Sequence, residues 1–263
     1  ALAGAGNEVV VIDADIGMAN LAGFVSLDGA ATTLHDVLAD EATIDDALYR
    51  LADGISAIPS GSDLASYAAA ETEGLTTVVD RLRDRFDYVL LDVGAGISHE
   101  TVLPLGVSDG VILVSTPDPA SVQDARKTIE LTERTNGAVI GLVVTRFRPD
   151  GNVAAEAIAD RLDLELLGTI PEDDAVRASI HEGTPVVVHA PKSDAATGYK
   201  RLAARLLGGR DRPRPSPPPR GTSAGSDDTS NGDDPDSNDG DGEGEVASET
   251  DVSDAIKNLD DGA

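Results

Sequence analysis

The chain has 263 residues and is strongly acidic, with 48 Asp and Glu residues against 20 Lys and Arg and a formal net charge of −28. It has no cysteine, which excludes disulfides, thiolate metal sites, iron–sulfur clusters and cysteine nucleophiles. The negative charge disfavours specific nucleic-acid binding, which needs a basic surface.

The acidic residues are spread along the whole chain. Residues 1–209 carry a formal charge of −18 and residues 210–263 carry −10, and only four of the basic residues are Lys. Such a charge opposes the compact state unless counter-ions screen it. The composition therefore predicts a halophilic protein, adapted to a cytoplasm of high salt concentration.

In chain order, the opening sequence ALAGAG predicts the last turn of a helix that ends at glycine, so we expect the chain to begin inside its fold. Strands and helices then alternate. Apolar runs between turn residues predict strands at 8–13, 55–59, 87–92, 110–115, 138–144, 165–170 and 185–188. Helical spacing predicts helices at 33–39, 43–50, 74–85, 119–135, 152–161, 172–182 and 193–207. The alternation predicts an α/β fold with a doubly wound, mostly parallel sheet and helices on both faces.

The composition changes after Leu207. Residues 208–263 form a Pro-rich stretch followed by a tract of Asp, Gly and Ser with almost no apolar residues. A segment of this kind cannot offset the entropy of ordering. We therefore expect one folded domain over 1–207 and a disordered tail over 208–263, which we interpret as a partner-binding or spacing element.

Acidic residues follow two of the predicted strands. Asp13 and Asp15 follow the first strand, and Asp92 ends a later one, with Gly94 and Gly96 next. Asp residues at neighbouring strand ends are suited to a Mg²⁺-nucleotide site, because Mg²⁺ takes few carboxylates and keeps several waters. A Gly-x-Gly sequence lets the backbone pass close to a terminal phosphate. Either Asp site alone would also fit a helix N-cap or an Asx turn.

Five segments in order resemble the MinD/ParA group of deviant Walker P-loop ATPases, and most closely its MinD branch. VVVIDADIGMANL is similar to the second-strand motif, and YVLLDVGAGI to Walker B and the second switch. VILVSTPDPASVQDARKTIEL, IGLVVTRF and GTIPEDDAVRASIHEGTPVV complete the order. The resemblance covers about residues 1–207 and implies a P-loop NTPase fold of the SIMIBI type.

The chain departs from the family at three places. The deviant Walker A loop, Lys-Gly-Gly-x-Gly-Lys-Thr, is absent, and we expect truncation of the first strand and this loop rather than their loss in nature. Gly94 stands where the family usually has Pro. Thr145, followed by Arg146, stands where an Asn commonly reads adenine, which puts base discrimination in doubt.

The resemblance implies ATP and Mg²⁺ as ligands. It implies that Asp15 orients or activates the attacking water, that Asp13 supports the Mg²⁺ shell and that Asp92 holds Mg²⁺ through a water. Gly94 and Gly96 would lie by the terminal phosphate, with the Gly96 amide donating to it. The base end would be lined by Thr145, Arg146, Pro171, Glu172 and Asp173. The four histidines, at 35, 99, 181 and 189, have no metal-ligand spacing.

The function implied is a MinD-like, ATP-dependent dimerisation switch that positions cell division or another polar or membrane-associated assembly, hydrolysing ATP to ADP and phosphate. Its partners would be a second copy of the chain, an unidentified protein and, peripherally, the membrane or cell pole of a cytoplasmic protein. Two alternatives stay open. One is a nucleotide-independent scaffold, and the other is a ParA-like DNA partition ATPase, which the acidic surface disfavours.

Overall fold

The described strands form two sheets, whose parallel strands come from the apolar runs of the sequence. The computed structural model describes residues 1–15, 18–24, 31–61, 74–94, 99–151 and 153–208. The predicted tail, apart from Gly208, therefore lies outside the described residues, and the prediction of its disorder stays a prediction. None of the described helices is long and apolar enough to span a membrane.

The first sheet has the strand order β2-β3-β1-β4. Its strands are β1 (Val9–Asp13), β2 (Tyr49–Ala52), β3 (Ile55–Ile58) and β4 (Tyr88–Asp92). β1 lies between β3 and β4 and is parallel to both, whereas β2 is antiparallel to β3. Val10 and Ile12 of β1 are fully buried in a core cluster with Ile58 of β3.

The second sheet has the order β5-β6-β7 and is parallel throughout. Its strands are β5 (Val111–Ser115), β6 (Val139–Phe147) and β7 (Leu166–Pro171). Among the described strands, β4 pairs only with β1, and β5 and β7 each pair only with β6. The first sheet therefore has one parallel edge strand, β4, and the second has two, β5 and β7. Leu90 on β4 and Val114 on β5 are 38% and 64% exposed.

Helices connect the strands, and two of them, over Leu21–Phe24 and His99–Val107, were not predicted. The helices are α1 (Leu21–Phe24), α2 (Leu34–Leu38), α3 (Gly74–Arg83), α4 (His99–Val107), α5 (Pro119–Arg134), α6 (Ala155–Leu162), α7 (Asp174–His181), α8 (Val186–His189) and α9 (Asp194–Gly208). The helix predicted at 119–135 is confirmed as α5, and Val122, Ala125 and Thr132 on it are buried. The opening helix end is also confirmed: a 3-10 turn over Ala3–Ala5 ends at Gly6, whose φ is 89°.

Two predicted elements are wrong. The helix expected at 43–50 is replaced by turns and the start of β2, which forms a hairpin with β3 through Asp53 and Gly54. Gly54 has a φ of 70°, which a tight hairpin turn requires and which glycine adopts without steric cost. The strand expected at 185–188 is instead the helical turn α8, because the amides of Val188 and His189 donate to the Pro185 carbonyl.

Candidate functional site

The site begins where β1 and β4 end side by side. Asp13 and Asp92 are partners in the parallel register of these two strands. The backbone amide of Ala14 donates to the Asp92 carbonyl at 2.8 Å, which extends the pairing by one residue. The two Asp-bearing strands are therefore neighbours.

Asp13 is only 1% exposed, and its carboxylate accepts hydrogen bonds from backbone amides. The donors are Asn20 and Leu21, both at 3.0 Å, and Asp15 at 3.3 Å. A buried carboxylate is stable only with such partners. Asp13 thus fixes the start of α1 and the backbone at Asp15. One acceptor position is left, since a carboxylate has about four, and the part of Asp13 in a Mg²⁺ shell stays a prediction.

Asp15 lies next to Gly94. A Cβ atom at residue 94 would be 2.6 Å from Asp15 Cγ and 2.9 Å from its Oδ1, and closer still to its Oδ2. The Asp15 carbonyl accepts from the Met18 amide at 3.1 Å. The structure therefore brings together Asp13, Asp15, Asp92 and Gly94, four of the residues that the sequence predicted.

The electrostatics of this group fit a cation. Burial raises the pKa of Asp92, and the charges of Asp13 and Asp15 raise it further. In the described part of the chain, no three His, Asp or Glu side chains are arranged to enclose a metal ion. Mg²⁺ does not need such a cage, because it binds through one or two carboxylates and keeps several waters. The carboxylates present therefore fit Mg²⁺ held largely through water.

The predicted base-end residues lie at the end of the second sheet. Thr145 Oγ1 donates to the Ser115 carbonyl of β5 at 3.4 Å. Arg146 has a φ of 50°, where the pairing of β6 with β7 is irregular. A non-glycine residue in this conformation is strained, and an irregular pairing redirects side chains. A cavity of about 340 Å³ lies there, lined by Thr116, Pro117, Asp118, Arg146, Arg148, Gly151 and Val153.

The remaining predicted residues lie at the end of β7 and directly after it. Pro171 ends the strand, and Glu172 pairs with the Nε of Arg148 at 2.6 Å. Asp173 instead caps two helices: its carboxylate accepts from the Ala175 amide of α7 at 2.9 Å and the Ala195 amide of α9 at 3.0 Å. The Ala195 amide, followed by that of Ala175, lowers the pKa of Asp173. Glu172 is thus paired with a residue that lines the cavity, whereas the Asp173 carboxylate is hydrogen-bonded to backbone amides.

Sequence reasoning missed three residues that shape these ends. Arg148 lines the cavity, and its spacing of two from Arg146 on a strand end is the signal that was available. Ser60 donates from its Oγ to the Asp13 carbonyl at 2.6 Å. Ser121 accepts the Thr116 amide at 3.1 Å and so holds the turn before α5. Gly96 and the side chain of His99 lie outside the described part of the chain.

Comparison with known proteins agrees with this architecture. Residues 1–186 match the CobQ/CobB/MinD/ParA nucleotide binding domain. An ATP-binding protein of Methanocaldococcus jannaschii is 38% identical over 211 residues, covering 80% of each chain. The cell division ATPase MinD of Pyrococcus furiosus has a similar structure, with a TM-score of 0.74, 32% identity and coverage of 79% of this chain and 88% of that one. The septum site-determining protein MinD of Pyrococcus horikoshii, solved with Mg-ADP, has a TM-score of 0.73 and 30% identity, with coverage of 80% of this chain and 88% of that one.

Proposed function

The chain belongs to the CobQ/CobB/MinD/ParA nucleotide-binding family, and on that premise we propose that it is the main part of a MinD-like, ATP-dependent dimerisation switch. The switch would hydrolyse ATP to ADP and phosphate and position cell division or another polar assembly. The observation that carries the proposal is the pairing of Asp13 with Asp92 at the ends of adjacent parallel strands, with Asp15 beside them. Ligands of open α/β sheets bind at this end of the strands.

In this proposal the carboxylates at the two strand ends have different roles. Asp92 would hold Mg²⁺ through a water, Asp13 would support that shell, and Asp15 would orient the attacking water. Burial, followed by repulsion from Asp13 and Asp15, raises the pKa of Asp92, and a bound Mg²⁺ would offset both effects, which supports a cation at this place. Thr145, Arg146, Pro171 and Glu172 would line the base end beside the cavity at Arg148.

Binding of the ATP phosphates requires a phosphate-binding loop. The chain contains no Gly-Lys-Ser or Gly-Lys-Thr sequence, and such a loop supplies the amides and the Lys that bind phosphates in P-loop proteins. We expect residues 1–263 alone to show no Mg-ATP binding. The same chain, preceded by the sequence that its reading frame encodes upstream of Ala1, is the form to be assayed for binding and turnover.

Asp15→Ala in that longer form tests the proposed chemistry. The change removes the group that orients water and leaves the Asp92 side chain in place. Hydrolysis should fall by about 10²–10⁴-fold, the range of a positioned proton acceptor, while ATP binding persists. The ATP-bound dimer should then accumulate, as measured by light scattering, because its exit reaction is blocked.

Asp92→Ala is the matched comparison, because it removes a carboxylate at the other strand end. Loss of a Mg²⁺ support should weaken nucleotide binding as well as turnover. Undiminished ATPase activity in Asp15→Ala would refute the assigned role. Unchanged localisation of both variants, with no ATP binding by the longer form, would favour the scaffold. DNA binding driven by ATP would favour the partition ATPase.

A further inference from the structure

Gly94 leaves open the space that the Asp15 carboxylate occupies. All three carboxyl atoms of Asp15 come within 3 Å of the position that a Cβ at residue 94 would take. Real Cβ atoms essentially never approach other atoms so closely. Any side chain at residue 94, including the Pro that the family usually has there, would therefore displace this carboxylate from the place that it has in this chain.

The backbone of Gly94 gives no other reason for glycine. Positive φ values occur at Gly6, Gly54, Gly141 and Gly183, and Gly94 is not among them. A residue with a side chain can adopt the backbone conformation at position 94. What glycine contributes here is the absence of a Cβ.

Asp15 cannot avoid such a side chain by moving its backbone. Its amide donates to the buried carboxylate of Asp13 at 3.3 Å, and its carbonyl accepts from Met18 at 3.1 Å. The preceding residue, Ala14, is tied to the Asp92 carbonyl at 2.8 Å. A group added at residue 94 would thus be accommodated by rotation of the Asp15 side chain.

We propose that Gly94 is a positioning residue, which sets where the Asp15 carboxylate lies by having no side chain. The inference rests on the proposed function of Asp15 in orienting water. It assigns the geometry of that carboxylate jointly to the clamped backbone at Asp15 and to the open space at Gly94. A displacement of about 1 Å at a reacting centre is enough to cost about 100-fold in rate.

The test adds one methyl group at two glycines. Gly94→Ala places it against the Asp15 carboxylate, and Gly23→Ala in α1 is the control, because a Cβ there meets nothing within 4 Å. The first readout needs no nucleotide: the carboxyl ¹³C shift of Asp15 in the ligand-free protein, assigned with Asp15→Asn. The second is ATP turnover of the longer form, with kcat and KM separated and the Mg²⁺ dependence measured.

We expect the Asp15 carboxyl shift to move in Gly94→Ala and to stay in Gly23→Ala. The kcat of Gly94→Ala should fall about 10- to 100-fold, with KM and the Mg²⁺ dependence within about twofold of the parent. An unmoved carboxyl shift would overturn the proposal, and so would a moved shift with unchanged kcat. A moved shift without ATPase activity in any form, the parent included, would instead refute the proposed function and the role of Gly94 in turnover that rests on it.

The double variant Asp15→Ala/Gly94→Ala covers the case in which Gly94→Ala folds poorly. If the Asp15 carboxylate is the group that the methyl meets, its removal should restore the thermal midpoint to that of Asp15→Ala alone. A midpoint still lowered in the double variant would show that the methyl meets something else, and would overturn the proposal.

Discussion

Gly141 sets how closely β6 can pair with β7, and replacing it with Ala should destabilise the second sheet. A Cβ at residue 141 would lie 2.6 Å from Leu167 Cγ and 2.7 Å from the Glu165 carbonyl oxygen. Gly141 also has a φ of 151°, which residues with a side chain rarely adopt. The Glu165 oxygen accepts the Leu142 amide at 2.8 Å, so moving it would strain the pairing of the two strands.

The magnitude follows from these contacts. Leu167 is only 8% exposed, so it has little room to move away. Overpacking of a buried site costs about 1–3 kcal/mol, and an unfavourable φ costs about as much again. We take about 3 kcal/mol as the loss in free energy of unfolding. For a domain of this size, that lowers the melting temperature by about 6–12 °C.

Thermal melts followed by circular dichroism in high salt would measure the loss. Gly168→Ala is the matched control, since Gly168 lies in β7, its φ is not positive, and a Cβ there meets nothing within 4 Å. We expect the control to stay within about 1 kcal/mol of the parent. Equal melting temperatures for the two variants would refute the steric reasoning, because only the contacts and φ at residue 141 distinguish them.

Two further predictions concern carboxylates. Asp92→Asn should raise the melting temperature of the ligand-free protein at neutral pH, because burial and the charges of Asp13 and Asp15 make the ionised side chain costly in the folded state. Because the pKa of Asp92 is raised in the folded state, the gain in melting temperature from Asn should be present above that folded pKa and shrink as the pH falls through it. Thermal melts at several pH values measure this gain, and a gain that grows in acid would contradict the prediction. Asp173→Ala should cost about 1 kcal/mol for the lost helix caps, whereas Asp174→Ala, an exposed neighbour, should cost little. Since the pKa of Asp173 is lowered, its contribution to the free energy of unfolding is present above its unfolded pKa and lost as the pH falls through the folded value. Chemical unfolding of both variants at neutral and acidic pH measures this contribution. A difference in unfolding free energy between the two variants that does not change with pH would contradict the capping role.

The elements that could be predicted are those whose signal is local. β1 and β4 are short apolar runs that end in Asp, and strand–helix alternation predicts that they are parallel. That they lie side by side is shown by the structure. β2 was missed because an edge strand of four residues has little apolar pattern, although Asp53-Gly54 marked its hairpin. The valines before His189 favour a strand by propensity, but no strand pairs with them, and local hydrogen bonds to Pro185 make a helical turn.

Within the site, the residue types were predictable and their contacts were not. The Asp residues after β1 and β4 are visible in sequence, because polar residues at the ends of buried strands stand out. The double capping by Asp173 joins the starts of α7 and α9, which are far apart along the chain. The closeness of Asp15 to Gly94 likewise depends on side-chain positions across two strand ends, which no spacing reveals.

The net charge of the chain also affects whether two copies can pair through their edge strands β4 and β5. In residues 1–263 taken alone, with no further strand beside them, these edges offer backbone groups to strands of other molecules, and Leu90 and Val114 add apolar surface beside them. At low ionic strength, the net charge of −28 keeps two copies of residues 1–263 apart. At about 1 M salt the Debye length is only about 3 Å, so this repulsion no longer acts between approaching surfaces. The same ions that would relieve repulsion inside one molecule therefore also remove the barrier to strand pairing between molecules.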